Sequence, residues 1–115
     1  MQITIRKYVR ENRSVPFQQW FERLEAPAKA KVSSAIFRIQ SGNFSRIKWF
    51  SGIGEYVIDW GPGYRIYLAK DGEAVILLLG GGTKHRQQID ITRAKHLHEE
   101  FKLRKNAKNG GILWN

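Results

Sequence analysis

The sequence predicts an α+β domain: an N-terminal strand, an αα-hairpin, an antiparallel meander of three to four strands, and a C-terminal helix. Three observations carry this. Residues Ile3 to Val9 alternate apolar and polar, as a strand with one buried face does. Two runs of helical periodicity follow before residue 41. Two turn signals, Gly61-Pro62-Gly63 and Asp71-Gly72, then divide short apolar stretches of strand length.

The elements follow in order. Ser14 is the expected N-cap of the first helix, and Pro16 is tolerated in a first turn. Phe17, Trp20, Phe21 and Leu24 recur at the i, i+3, i+4, i+7 spacing of one helix face. Pro27 punctuates, and a second helix carries the stripe Ala28, Val32, Ala35, Ile36 and Ile39. So short a break between helices predicts a hairpin of the two. Ser41-Gly42-Asn43 supplies glycine C-cap chemistry. Arg46 to Phe50 has the length of a short strand. Glu55 to Trp60, Tyr64 to Ala69 and Ala74 to Leu79 form the meander, with Gly80-Gly81-Gly82 expected to break the last strand. Asp90 is the expected cap of a final helix that buries Ile91, Ala94, Leu97 and Phe101. Residues 1–105 read as one domain and 106–115 as a flexible tail ending in Ile112-Leu113-Trp114.

Composition narrows the function classes. The chain has 115 residues, enough for one domain, and 42% are apolar, enough for one core. Twenty Lys and Arg stand against 10 Asp and Glu, a net charge of +10. Such a field draws polyanions: nucleic acid, the ribosome surface, an anionic membrane or an acidic protein. There is no cysteine, so a disulfide scaffold and thiolate-ligated zinc are excluded, and a reducing compartment suits the chain. No apolar run reaches the roughly 18 residues of a membrane span. The expectation is a cytoplasmic protein with no membrane association.

The chemistry concentrates between Gly54 and Asp90. Arg65 opens the central strand of the meander, and a guanidinium there could face the open side of the sheet. A planar fork of donors suits phosphate. The competing role is that of a charge partner for Glu55 or Asp59. Lys84, His85 and Arg86 directly follow the glycine run, at a strand end where a scaffold holds loop residues in place. Histidine moves protons near neutral pH. The GxxxxGK[ST] spacing of a nucleotide-binding P-loop is absent. His96 and His98 sit two apart on the last helix and face different ways, so no metal site is expected. Trp49, Trp60, Tyr56, Tyr64 and Tyr67 interleave with Lys48 and Arg65; some rings must stack in the core and others could stack on bases.

The run from Ile58 through Asp59-Trp60-Gly61-Pro62-Gly63-Tyr64-Arg65-Ile66-Tyr67, the segment Val75 to Lys84, and Asp90-Ile91 with Ala94 resemble the toxins of bacterial toxin–antitoxin pairs. The resemblance is to the phage-derived HigB-like addiction-module-killer branch of the RelE/ParE superfamily. It spans roughly residues 3 to 104 and includes Arg38 to Lys48. It implies a RelE-like fold and a type II toxin: a metal-independent, ribosome-dependent endoribonuclease that cleaves mRNA without a cofactor and is held inactive by a small helix-turn-helix antitoxin. Carried over by position, Arg65 matches the arginine of the family's GYR segment, and Lys84 and His85 fall where RelE-type toxins have a Lys-Arg pair. Tyr56 and Ile58 stand where RelE-type toxins carry lysines, Val57 where relatives often have arginine, and Ile91 near a RelE tyrosine. The expected catalytic set is therefore Arg65, Lys84 and His85, with Arg46, Lys48 and Arg86 holding flanking phosphates. A gyrase-poisoning ParE-like toxin and a non-catalytic basic module that binds RNA or protein are the alternatives.

Overall fold

A computed structural model describes the backbone of residues 2–114 and the side chains of residues 2–108. The elements run β1 (Thr4–Lys7), α1 (Pro16–Glu22), α2 (Ala26–Gln40), β2 (Ile47–Phe50), β3 (Ile53–Ile58), β4 (Tyr64–Lys70), β5 (Val75–Thr83), a 3₁₀ turn (Lys84–Arg86) and α3 (Gln87–Trp114). The architecture is α+β, with one five-stranded mixed sheet in the order β1-β5-β4-β3-β2. Strands β2 to β5 form an antiparallel meander, and β1 joins its far edge parallel to β5, with Thr4 opposite Val75 and Lys7 opposite Leu78.

The helices lie on opposite faces of the sheet, whereas the α+β order by itself reads as helices packed against one face of the meander. α1 and α2 cover one side, where Phe17, Val32, Ala35 and Ile39 pack on Tyr56, Ile58, Ile66, Leu68, Ile76 and Leu78. α3 covers the other, where Ala94 and Leu97 pack on Ile53, Tyr67, Ala69, Leu77 and Leu79. A sheet buried on both faces explains why β5 reads as a continuous apolar run from Val75 to Leu79 rather than as strict alternation.

Turn chemistry explains the boundaries. α2 ends in a Schellman cap: Gly42 has φ +91°, its N–H donates to Ile39 O, and Asn43 N–H donates to Arg38 O. β2 and β3 are joined by Ser51-Gly52, both at positive φ (50° and 83°), a type I′ hairpin. At the start of α1, Val15 rather than Ser14 takes the N-cap position, without a side-chain cap, and Pro16 is the first helical residue.

Two further expectations need correction. The glycine run does not end β5: the strand continues through Gly80-Gly81-Gly82 to Thr83. A bulge at Tyr67/Leu68 lets it do so, since Tyr67 pairs with Gly80 and Leu68 with Leu78, leaving Leu79 extra. Asp90 is not a cap: α3 begins at Gln87, so Asp90 lies inside the first turn. The backbone of α3 stays helical past Asn106 to Trp114, whereas the side chains of Ile112, Leu113 and Trp114 lie outside the described residues.

Candidate functional site

The antiparallel order gathers the C-terminal ends of β3 and β5 and the N-terminal ends of β2 and β4 at one end of the sheet. Most of the chemistry lies there. The β3–β4 turn folds on Gly61 (φ +59°) and Gly63 (φ +76°), conformations that favour glycine. The Gly63 carbonyl then accepts two hydrogen bonds, one from Arg65 Nη1 (2.7 Å) and one from the Lys84 backbone N–H (2.9 Å). One carbonyl thus ties the central-strand guanidinium to the start of the basic 3₁₀ turn. Lys84, His85 and Arg86 are exposed on that turn.

Arg65 itself does not face an open sheet surface. It pairs with Gly82 in the β4–β5 register and lies on the face that α3 covers, with a side chain only 11% exposed. Its Nε lies 3.9 Å from Glu55 Oε2 and makes no hydrogen bond. The role of charge partner to Glu55 is therefore present in the fold. Glu55 Oε2 also accepts from Tyr67 OH (3.0 Å) and Gln87 Nε2 (2.9 Å), so β3, β4 and α3 converge on one buried carboxylate. Burial, reinforced by that carboxylate, pushes the Tyr67 hydroxyl well above the usual phenol range. Tyr67 is a hydrogen-bond donor here, and this network stiffens the floor beneath the basic turn.

Lys48 and Arg46 stand apart from Lys84 to Arg86. Lys48 lies opposite Glu55 on the edge strand β2, and Arg46 lies just before that strand; both are exposed. β2 and β5 are three strand spacings apart, about 14 Å at ~4.8 Å each. The two groups of cations do not converge on a single phosphate.

The aromatic residues divide clearly. Tyr56 and Tyr67 are core. Trp60, on the turn, is 38% exposed, stacks on Tyr64 at 6.2 Å, and has Lys31 Nζ 5.6 Å from its ring centroid. Trp49 is 40% exposed on β2, with Lys70 Nζ 5.0 Å from its ring centroid. The two exposed rings lie toward opposite ends of the sheet, each beside its own cation, and only Trp60 stands at the end that carries the basic turn.

The residue that sequence reasoning missed as a site candidate is Asp90. Its carboxylate is buried and its Oδ2 has no hydrogen-bond partner among the described residues. It presses on β5 so closely that a Cβ at Gly82 would lie 1.9 Å from Oδ2. The available signal was the glycine run, which the sequence reading assigned to a strand break instead of to close packing. Burial pushes the Asp90 carboxyl above the usual aspartate range, while Arg86 and Arg93 pull it down less strongly. The folded state therefore holds the Asp90 proton more tightly than the unfolded chain does. This favours the fold below the ordinary aspartate pKa, and that benefit is lost as pH rises through the elevated one. Asp90→Asn is expected to raise stability at neutral pH by about 1 kcal/mol, the scale of an unpartnered buried polar group. The gain should vanish below about pH 4. Thermal melts of both proteins across this range check it; a difference that persists or grows in acid contradicts it.

Among the described residues, no group of three or more His, Asp or Glu side chains gathers as metal ligands. No helix is long and apolar enough to cross a membrane.

The fold and the site define a small basic α+β domain that presents a cationic turn and the exposed Trp60 ring at one end of a mixed sheet. An uncharacterized protein of Haemophilus influenzae is 42% identical over 92 residues, 78% of this chain and 93% of that one, and the chain belongs to its family. No family model matches the chain, and no solved structure matches it.

Proposed function

We propose that the protein is the toxin of a type II toxin–antitoxin pair with a RelE-like fold, acting as a metal-independent, ribosome-dependent endoribonuclease on mRNA in the cytoplasm. The observation that carries this is the Gly63 carbonyl joining Arg65 to the Lys84 backbone, with His85 exposed on the same turn. The net charge of +10 and the strand and helix order, β-α-α followed by a four-stranded meander and a helix, support it.

Cleavage of RNA by its own 2′-hydroxyl needs a base for that proton, positive charge on the phosphorane, and an acid for the leaving 5′-oxygen. His85 serves in proton transfer. Lys84 anchors the scissile phosphate and stabilises its charge. Arg65, buried behind the turn and bonded to Gly63 O, fixes the backbone that presents Lys84 and adds its positive charge from a distance. Arg86 on the turn, and Arg46 and Lys48 across the sheet, hold flanking phosphates, while Trp60 and Tyr64 offer a stacking surface for an unpaired base. No lysine stands at Tyr56 or Ile58, both of which are core. The ribosome supplies orientation of the mRNA, itself a large catalytic contribution. A small helix-turn-helix antitoxin of acidic surface would cover the basic end.

The test is induction of the wild-type chain and of Arg65→Ala and His85→Ala from a tight promoter, with mRNA 5′ ends mapped during growth arrest. The expected result is new ends within translated codons for wild type alone. DNA-damage signalling without mRNA cleavage would instead indicate a gyrase poison. Absence of arrest, with salt-sensitive RNA binding unaffected by His85→Ala, would indicate a passive binding module.

A further inference from the structure

A cavity of about 460 Å³ opens beside the basic turn, between α1, the outer edge of β5 and the start of α3. It is built by an incomplete sheet. β1 pairs with β5 only as far as Leu78, so β5 from Leu79 to Thr83 has no strand on its outer side. α1 and α3 flank that edge instead. They come close because Gly81 and Gly82 lack side chains: a Cβ at Gly81 would lie 2.3 Å from the Trp20 ring, and one at Gly82 1.9 Å from Asp90. Trp20, Arg23, Arg86, Asp90 and Arg93 line the cavity.

The charges are unbalanced. Arg23, Arg86 and Arg93 make no hydrogen bond or ion pair from their side chains among the described residues, whereas Arg10 is paired with Glu100. Three guanidinium groups around one carboxylate leave the cavity positive, and their mutual repulsion is relieved by an anion. Asp90 adds the second, independent feature: its side chain is over nine-tenths buried in the cavity wall and makes no hydrogen bond among the described residues, and with Oδ2 pressed on Gly82 it is Oδ1 that is left for a ligand. An ionised carboxylate is acceptor-only, so it selects a ligand that carries N–H groups. Trp20 supplies an aromatic wall. The volume falls within the range of roughly 300–1,000 Å³ typical of small-ligand sites.

An anionic group, an aromatic ring and N–H donors in one ligand describe a nucleotide. We propose that this cavity is a subsite for one unpaired nucleotide, its phosphate on Arg23, Arg86 and Arg93, its base against Trp20, and an amino group of that base donating to Asp90. The identification of the nucleotide as part of an RNA strand rests on the ribonuclease reading. Arg86 belongs to the same 3₁₀ turn as Lys84 and His85, so a strand anchored there continues directly into the cavity. Bases bearing an amino group are favoured over uracil, as carboxylates accept from the exocyclic amino group of cytosine.

The test is calorimetric titration of the full chain at low salt with CMP, UMP, inorganic phosphate and hexaglutamate. CMP is expected to bind at least about tenfold more tightly than phosphate, the scale of one stacked base. Arg93→Ala and Arg23→Ala should each weaken CMP by about tenfold through loss of a charge-assisted contact. Asp90→Asn should erase the preference for CMP over UMP while phosphate binding persists. Equal binding of CMP and phosphate, CMP binding indifferent to both arginine substitutions, or tighter binding of hexaglutamate would each overturn the subsite. Cleavage does not enter these measurements. A chain that cleaves mRNA but binds no CMP retires the subsite alone; one that binds CMP and never cleaves retires the ribonuclease reading alone.

Discussion

His85→Ala is expected to lower ribosome-dependent mRNA cleavage by about 10²–10⁴-fold, the usual contribution of a positioned general acid or base. Its melting temperature should stay near that of wild type. His85 is exposed on the 3₁₀ turn and takes part in no hydrogen bond or ion pair among the described residues, so the fold loses little with its side chain. That separation between activity and stability is what makes the measurement decisive. Arg65→Ala is a weaker probe, because the same substitution removes the bond to Gly63 O and leaves Glu55 with less positive charge beside it. A rate loss there mixes catalysis with a disturbed turn. Single-turnover cleavage on programmed ribosomes, measured for wild type and His85→Ala at matched protein concentration, provides the number. If His85→Ala retains cleavage within about a factor of ten of wild type, proton transfer does not run through this imidazole. A pH-dependent limb of the rate that is present in wild type and lost in the variant would strengthen the assignment.

Gly81→Ala is expected to destabilise the protein by about 3 kcal/mol, a large share of the 5–15 kcal/mol typical of a whole domain. The added Cβ would lie 2.3 Å from the Trp20 ring, a separation that carbon atoms do not tolerate. Trp20 cannot retreat cheaply, since it packs on Phe17 at 5.7 Å and on the edge of Tyr64 at 6.4 Å. Displacing it would disturb α1 and the stack beneath Trp60 together. Gly80→Ala, one residue earlier, is the control: its Cβ would meet nothing within 4 Å, and stability should change by no more than about 0.5 kcal/mol. Urea unfolding of the two variants side by side checks the contrast. Equal effects at both positions would mean that backbone freedom, not the indole, is what the glycine run provides.

These two experiments mark the limits of what could be read in the chain. Helix faces were legible because burial imposes a period: Phe17, Trp20 and Phe21 on α1, and Val32, Ala35 and Ile39 on α2, occupy the core side that their spacing predicts. The turns at Gly61-Pro62-Gly63 and Asp71-Gly72 were legible because positive φ selects glycine, and Gly61, Gly63 and Gly72 all adopt it. Ser51-Gly52 carries a weaker form of the same signal, because serine is not selected by positive φ. The glycine run is ambiguous in sequence for a physical reason. Missing side chains serve equally to bend a strand or to admit a neighbour, and local sequence does not distinguish the two.

Composition and periodicity by themselves determined a basic α+β chain, its strand and helix order, and the concentration of cations after the last strand. Only tertiary structure decided which face α3 covers, and hence that Arg65 is buried beside Glu55 instead of lying open. Only it brought Asp90, Trp20 and Arg23, Arg86 and Arg93, unpaired among the described residues, around the open edge of β5. The reason is range. Periodicity and turn preference act between residues a few positions apart, whereas the contacts that bury a charge or open a cavity join residues from α1, β5 and α3, and their cost is felt only once the chain has closed.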